Sequence, residues 1–372
     1  MKFLLGNRKG RFRRGASLGL LVLLGILLSG CTSIGPTTIE RDRFDYVAAI
    51  SESWKRQTLL NLIKTRYIDV PVFLDIASVI NQYSMERELS LGIEGEFYNR
   101  SDPSYVGPSI GATGRYTDRP TITYNPLMGQ NFARSLMRPI PLPAIFFLLE
   151  SGYPADHVLR ICVQNIQGLR NCRNGPLVQQ DADAAFYELI NLLVKLKGTN
   201  GFTIRRTGRD RAAGRSLIFK TPGNETAARH LRRIKQLLEL DPTQDEFPFI
   251  SGSVALNHEE ITILSRSIMQ IMTEFAAFID VPEADIAEGR VYAIDQEAAQ
   301  ADHHLPPLIR VHNSLAEPER PHVAVPYRGS WFWIDDRDIH SKTMFYFLMV
   351  LFSSTERGDS EQAAPIISVP TN

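Results

Sequence analysis

The sequence predicts an α+β fold, built of helices and antiparallel hairpins in two subdomains, and three observations carry that expectation. Stretches with helical spacing of apolar residues are interspersed with stretches of strict apolar and polar alternation. The two kinds do not follow the regular strand–helix–strand order of a parallel sheet. No segment recurs at a fixed period, which excludes a solenoid.

The elements follow in order. Val47, Ile50, Trp54, Leu59, Leu62 and Ile63 approximate helical spacing, so a helix is expected over 45–67, with Asp45 as N-cap and Pro71 beyond its end. Residues 72–83 are strongly apolar and fit a strand or a short helix. Leu89, Leu91, Ile93 and Phe97 alternate with Glu88, Ser90, Gly92, Glu94 and Glu96, the period of a strand. With the glycine-rich run 105–116 and Thr121–Tyr124 they predict a β-meander over 86–125. Residues 130–196 read as three helical pieces separated by Pro139, Pro141, Pro143 and Gly152-Tyr-Pro154, the last capped by Asp181 or Asp183. A hairpin is expected from Gly201–Arg205 and Ser216–Lys220, then a helix from Asn224 to about Leu240.

Asp241-Pro-Thr-Gln-Asp-Glu-Phe-Pro248 is the expected internal boundary, dividing a helical and β-meander domain (44–241) from a smaller α+β domain (249–372). The second is expected to hold a strand at 249–256, a helix at 258–279 and a mobile acidic loop at 282–302. Strands at 307–312 and 322–334, a helix at 338–353 and a last strand at Ile366–Val369 complete it.

The N-terminus gives an address. Lys2, Arg8, Lys9, Arg11, Arg13 and Arg14 form a positive stretch, and the apolar run Leu18–Leu28 follows. A basic region, an apolar stretch of about 7–15 residues and small residues at a cut describe a secretory signal. The run falls short of the roughly 20 residues a spanning helix needs. Leu28-Ser29-Gly30-Cys31 resembles the lipobox of bacterial lipoproteins. That resemblance implies removal of residues 1–30, acylation of Cys31 and an N-terminal lipid, palmitate among its chains, holding the protein on the membrane. Thr32 in place of Asp favours the outer membrane, facing the periplasm. Residues 31–43 are then expected as an extended tether, reaching roughly 40 Å at about 3.3 Å per residue.

Removing the signal changes the charge balance. The chain has 41 basic and 41 acidic residues, and the first thirty take away six basic and no acidic ones, leaving 35 against 41. A net charge near −6 lacks the clustered positive surface of a nucleic-acid binder, so no nucleic acid is expected among the partners. Besides Cys31 the chain holds Cys162 and Cys172. An oxidising compartment permits a disulfide between them, with two free thiols as the alternative.

No catalytic constellation emerges. Gly107-Pro-Ser-Ile-Gly111 spells the G-x-S-x-G nucleophile elbow, but that chemistry needs a strand, a sharp turn and a helix, and a glycine-rich strand is expected here. His303, His304, His312, His322 and His340 lie near Asp335, Asp336 and Asp338 without zinc-ligand spacing, so neither metal nor cofactor is expected. Trp331 and Trp333 share one face of a strand and Phe332 takes the other, a pattern that serves core packing or a sugar-stacking platform. Met344–Phe352 is apolar throughout, so its helix is buried on all sides, either in its own core or, through Phe345, Leu348 and Phe352, against a protein partner or a second copy.

Trp54–Asp75 and Tyr124–Pro141 resemble segments of uncharacterised Gram-negative envelope lipoproteins, a resemblance that implies no activity. The expected function is a lipid-anchored, non-enzymatic scaffold or accessory subunit of a periplasmic or outer-membrane assembly. Two alternatives stand beside it. One is a hydrolase acting on cell-wall or lipid material. The other is an oligomeric lipoprotein that inserts the 88–116 hairpin into the outer membrane, for which strands of about 9–11 alternating residues suffice.

Overall fold

The computed structural model describes residues 34–80, 83–95, 106–118, 121–127, 130–176, 178–207, 214–292, 294 and 306–355. The fold is α+β. Contacts divide the chain into two compact units, Met1–Ser51 with Ile76–Asn125, and Glu52–Asp75 with Pro126–Asn372.

Helix α1 (Ile34–Arg66) starts earlier than the sequence predicts. Pro36 falls in its first turn, where a missing amide proton costs no intrahelical bond. The expected tether is therefore helical from Ile34, and residues 34–43 advance about 15 Å at 1.5 Å per residue instead of twice that. In the larger unit α1 buries Thr58, Leu59, Leu62, Ile63 and Arg66, a stripe at three- and four-residue spacing, and Tyr67 just past its end is buried as well. In the smaller unit the same helix leaves Ile39, Phe44 and Val47 exposed.

Strands β1 (Phe73–Ile80) and β4 (Thr121–Leu127) pair with each other, and β2 (Tyr83–Gly95) pairs with β3 (Val106–Asp118). Of the ambiguous stretch 72–83, Phe73–Ile80 is thus strand. The expected meander is a ribbon of two nested strand pairs.

Helices α2 (Gln130–Met137), α3 (Leu142–Glu150) and α4 (Ala155–Cys162) occupy the proline-punctuated region. Strand β5 (Val163–Ile166) then leads into short strands β6 (Leu169–Arg170), β7 (Arg173–Asn174) and β8 (Gln179–Gln180) where helix was expected. After α5 (Ala184–Gly198) come the predicted hairpin β9 (Phe202–Thr207) and β10 (Gly214–Phe219), and α6 (Glu225–Leu237). Asn224 caps α6, its side chain accepting from the Ala227 amide at 2.8 Å.

The helix expected over 258–279 divides. Ile261–Ser265 is strand β12, and α7 (Ile268–Ala276) follows behind a capping box of Ser267 and Gln270. Ile261, Ile263 and Leu264 make a short, largely apolar stretch around Thr262, and such a stretch reads equally as buried helix or buried strand. With β11 (Glu246–Ser251) it completes a six-stranded sheet, ordered β6-β5-β12-β11-β10-β9, in which β11 and β12 are parallel and the other pairs antiparallel. The sheet takes strands from both sides of Asp241–Pro248, so the expected boundary falls within one sheet.

A short helix α8 (Glu283–Ala287) occupies the start of the expected acidic loop. Then β13 (His312–Ser314), β14 (Pro321–Tyr327) and β15 (Ser330–Asp335) form a three-stranded sheet ordered β13-β15-β14. The β14–β15 turn is Arg328-Gly329, at φ 49° and 86°, the type I′ geometry that matches strand twist. Helix α9 (Ile339–Thr355) is the last described element, and the expected strand at 366–369 lies outside the described residues.

Candidate functional site

The ribbon of the smaller unit is the feature with the clearest chemical pattern. All thirteen residues of β2 pair with β3, from Tyr83 opposite Asp118 to Gly95 opposite Val106. Among the described residues no further strand joins the pair. Strand residues two apart share a face, so the register sorts the ribbon by residue type. Met85, Leu89, Leu91 and Ile93 stand opposite Tyr116, Ala112, Ile110 and Pro108. The other parity sets Ser84, Glu86, Glu88, Ser90 and Glu94 opposite Thr117, Arg115, Thr113, Gly111 and Gly107. Arg87, opposite Gly114, and Asp118, opposite Tyr83, are the charged exceptions on the apolar parity. At about 3.4 Å per residue each strand spans roughly 44 Å. The strand runs through Pro108 without interruption. A two-stranded ribbon has only edge strands, where proline is tolerated. It also runs through Gly107–Gly111, so the G-x-S-x-G stretch lacks the strand–turn–helix of a nucleophile elbow.

The other expected site residues are all in the larger unit, except Cys31, which lies outside the described residues. Cys162 and Cys172 are free thiols, and the expected disulfide is absent. Their surroundings explain why. Cys162 ends α4 inside the core, where burial pushes its thiol up to about 12. The Cys172 sulfur faces a buried polar cluster instead, donating to Glu274 Oε2 at 3.8 Å, with the Tyr187 hydroxyl 3.7 Å away. Burial, and then the Glu274 carboxylate, raise its pKa, so neither thiol is poised as a nucleophile.

That cluster has no local sequence signal. Arg266 and Glu274 are both nearly inaccessible and form an ion pair at 3.7 Å. Arg266 Nη1 donates to the Arg160 carbonyl at 2.8 Å, and Nη2 donates to the Cys172 carbonyl. Glu274 accepts from the Asn174 amide at 3.2 Å and its side chain at 3.0 Å. Asn171 Nδ2 ties the same loop to the Arg160 and Val163 carbonyls at 2.9 and 2.7 Å. Satisfied buried networks of this kind hold backbone in place. Here the loop carrying β7 is pinned to α4 and α7.

The C-terminal histidines are not brought to one another, although the His340 ring lies 6.0 Å from that of His157. His312 Nδ1 lies 3.5 Å from Asp280 and its ring stacks on Trp333 at 4.8 Å, while His322 lies 3.7 Å from Asp336. His340 meets the Pro307 carbonyl, and His303 and His304 fall outside the described residues. Burial lowers the pKa of His157 and His322, and Asp280 is raised by burial against the opposing pull of His312. No group of three His, Cys, Asp or Glu residues among those described is placed to hold a metal.

Phe332 and Ile334 point into the core, and Trp331 and Trp333 lie half-buried on the other face, opposite Ser314 and His312. In α9 Phe345 and Leu348 are fully buried and Phe352 nearly so. These three belong to the protein's own core, the first of the two alternatives that the sequence leaves open. Ile339 and Tyr346 are the large apolar residues of α9 that reach the surface.

Comparison of the chain with protein-family models, with curated proteins and with solved structures finds no match.

Proposed function

We propose that the protein is a lipid-anchored, non-enzymatic subunit of an outer-membrane assembly, facing the periplasm, and that its β2–β3 ribbon enters the bilayer beside copies of the same chain. The observation that carries this reading is the ribbon's register, which gathers apolar residues on one parity and polar residues on the other over thirteen paired positions. An isolated two-stranded ribbon is marginal in water. Open strand edges are not tolerated in lipid. Edge-to-edge pairing with neighbouring ribbons closes a barrel, with the apolar parity toward lipid and the polar parity toward a lumen. Each strand exceeds the roughly 9–11 residues such a barrel needs. Exposed Ile39, Phe44 and Val47 in the same unit offer apolar surface for a neighbouring copy to cover. The Leu28–Cys31 motif supplies the address. No described helix is long and apolar enough to cross a membrane.

Single cysteines at Glu88, Leu89, Ser90 and Leu91, probed in isolated outer membranes with a water-soluble maleimide, test the reading. Positions 88 and 90 should react, and positions 89 and 91 should stay protected until detergent dissolves the membrane. Chemical crosslinking should give a ladder of multiples of the chain. Equal reactivity at both parities together with a monomer on crosslinking would refute the proposal. Cys31→Ser should abolish incorporation of a labelled fatty acid, and label persisting on that variant rejects the anchor.

A further inference from the structure

The larger unit contains a half-enclosed cavity of about 320 Å³. Its walls are two layers. Helices α3, α4 and α5 supply Phe146, Leu159, Leu189 and Leu193, and the sheet supplies Leu217 and Phe249 among others. The volume sits at the lower end of ligand pockets. Taking a methylene as about the size of a water molecule, roughly 30 Å³, it has room for about ten chain carbons.

The polar part of the lining is confined to Glu150 and the stretch Lys197–Thr203, and the two adjoin, since Lys197 Nζ donates to the Leu149 carbonyl at 3.3 Å. Arg215 belongs to the same end. It lies two residues before Leu217 on β10, and its guanidinium carbon stands 5.5 Å from the Phe146 ring. Arg215 Nε approaches Glu150 only to 3.6 Å, and this buried nitrogen has no hydrogen-bond partner among the described residues. The register sets Arg206 directly opposite Arg215, a like-charge pair that is unfavourable without an anion between. Lys197 lines this end, Arg215 stands beside Glu150, and Arg206 faces Arg215 across the strands, so three cations lie toward one end of an apolar cavity whose lining holds one carboxylate.

We propose that this cavity binds the acyl chain of a single-chain amphiphile whose anionic head is taken by Arg215, Lys197 and Arg206. A ligand with polar groups along its length would leave them unpaired against the hydrocarbon walls. A linear chain with one charged end matches walls and rim together. The head is a carboxylate or a phosphate, so a free fatty acid and a lysophospholipid share the chemistry. The site is independent of the ribbon.

The test uses the full chain in isolated membranes and a decanoate analogue bearing a diazirine and an alkyne, beside its methyl ester and a lysophospholipid carrying the same chain. Irradiation should place adducts on peptides spanning 146–159 and 189–204, and unlabelled decanoate should compete. Leu193→Trp, which fills the cavity, should remove these adducts. Arg215→Gln with Lys197→Gln should lower labelling by the acid about tenfold, the size of one lost charge-assisted hydrogen bond. Labelling by the ester should not change. The stronger of the acid and lysophospholipid arms assigns the source of the head. Adducts spread evenly over surface peptides, or cavity adducts untouched by Leu193→Trp, would overturn the proposal. If Leu193→Trp does not fold, the arginine and lysine variants decide it alone, because a rim without a head-group role would treat acid and ester alike.

Discussion

Replacing Arg266 with Met tests whether the polar cluster beneath α7 holds the larger unit together. The guanidinium is surrounded by protein, paired with Glu274 at 3.7 Å and donating to the carbonyls of Arg160, Ile161 and Cys172. Met fills a similar volume but leaves the Glu274 carboxylate buried, with Asn174 as its remaining strong donor. Stranding one member of a buried ion pair costs about 3–5 kcal/mol, and each carbonyl left without a donor adds about 1 kcal/mol. Against a domain stability of about 5–15 kcal/mol, that removes most of the margin. Trp54, Trp331 and Trp333 all lie in the larger unit, so tryptophan fluorescence during urea unfolding reads that unit directly. The midpoint should fall steeply at an unchanged m-value. Glu274→Gln should cost less, because Arg266 keeps its three carbonyl acceptors. A loss below about 1 kcal/mol for Arg266→Met would mean that water reaches the site, and the cluster would not be the clamp described.

Three further outcomes follow from burial and charge. Leu348→Asp places an unpaired carboxylate at a fully buried position, so thermal melting should drop by several kcal/mol equivalents whether or not any partner is present; an unchanged melt would return α9 to the surface. Cys162 and Cys172 should resist alkylation in the native protein and yield two alkylated thiols after denaturation without reductant, and zero would restore the disulfide. Burial lowers the pKa of His157 and His322 below the ordinary value of about 6.5. The unfolded chain therefore takes up protons first on acidification, and stability should fall as pH drops through that ordinary value toward the folded-state values. His157→Gln with His322→Gln should flatten this dependence in melting curves between pH 8 and 5, and an equally steep loss in the double variant would place the acid sensitivity elsewhere.

Legibility in the sequence tracked how local each signal was. Strand β2 alternates within its own thirteen residues, α6 carries its cap at Asn224, and α9 contains the unbroken apolar run Met344–Phe352; each was readable because neighbours in sequence settle it. Strands β5 and β12 were read as helix. Val163 and Ser265 pair across about a hundred residues, and nothing near either announces the other. The Cys172–Arg266–Glu274 cluster escaped for the same reason, since partners 94 and 102 residues apart leave no spacing to recognise. The α9 residues show a different limit. A helix apolar on every side must be covered on every side, but composition cannot say whether its own chain or another supplies the cover. Here the chain itself buries Phe345, Leu348 and Phe352.

The early start of α1 bears on how the anchor and the ribbon work together. An extended tether would have let the folded chain wander roughly 40 Å from a lipid on Cys31. With helix from Ile34, only Thr32 and Ser33 separate that cysteine from α1, about 10 Å of extended chain. A lipid on Cys31 therefore enters the bilayer close, along the chain, to the start of the smaller unit, which also carries the ribbon. Under the proposed function, holding that unit at the membrane would raise the local concentration of ribbons and confine them to one plane, which would favour their edge pairing without any new contact. On this reasoning an insertion of twenty glycine and serine residues after Ser33 should leave acylation intact while weakening the crosslinked ladder. A ladder of undiminished strength would show that assembly owes nothing to the short connection.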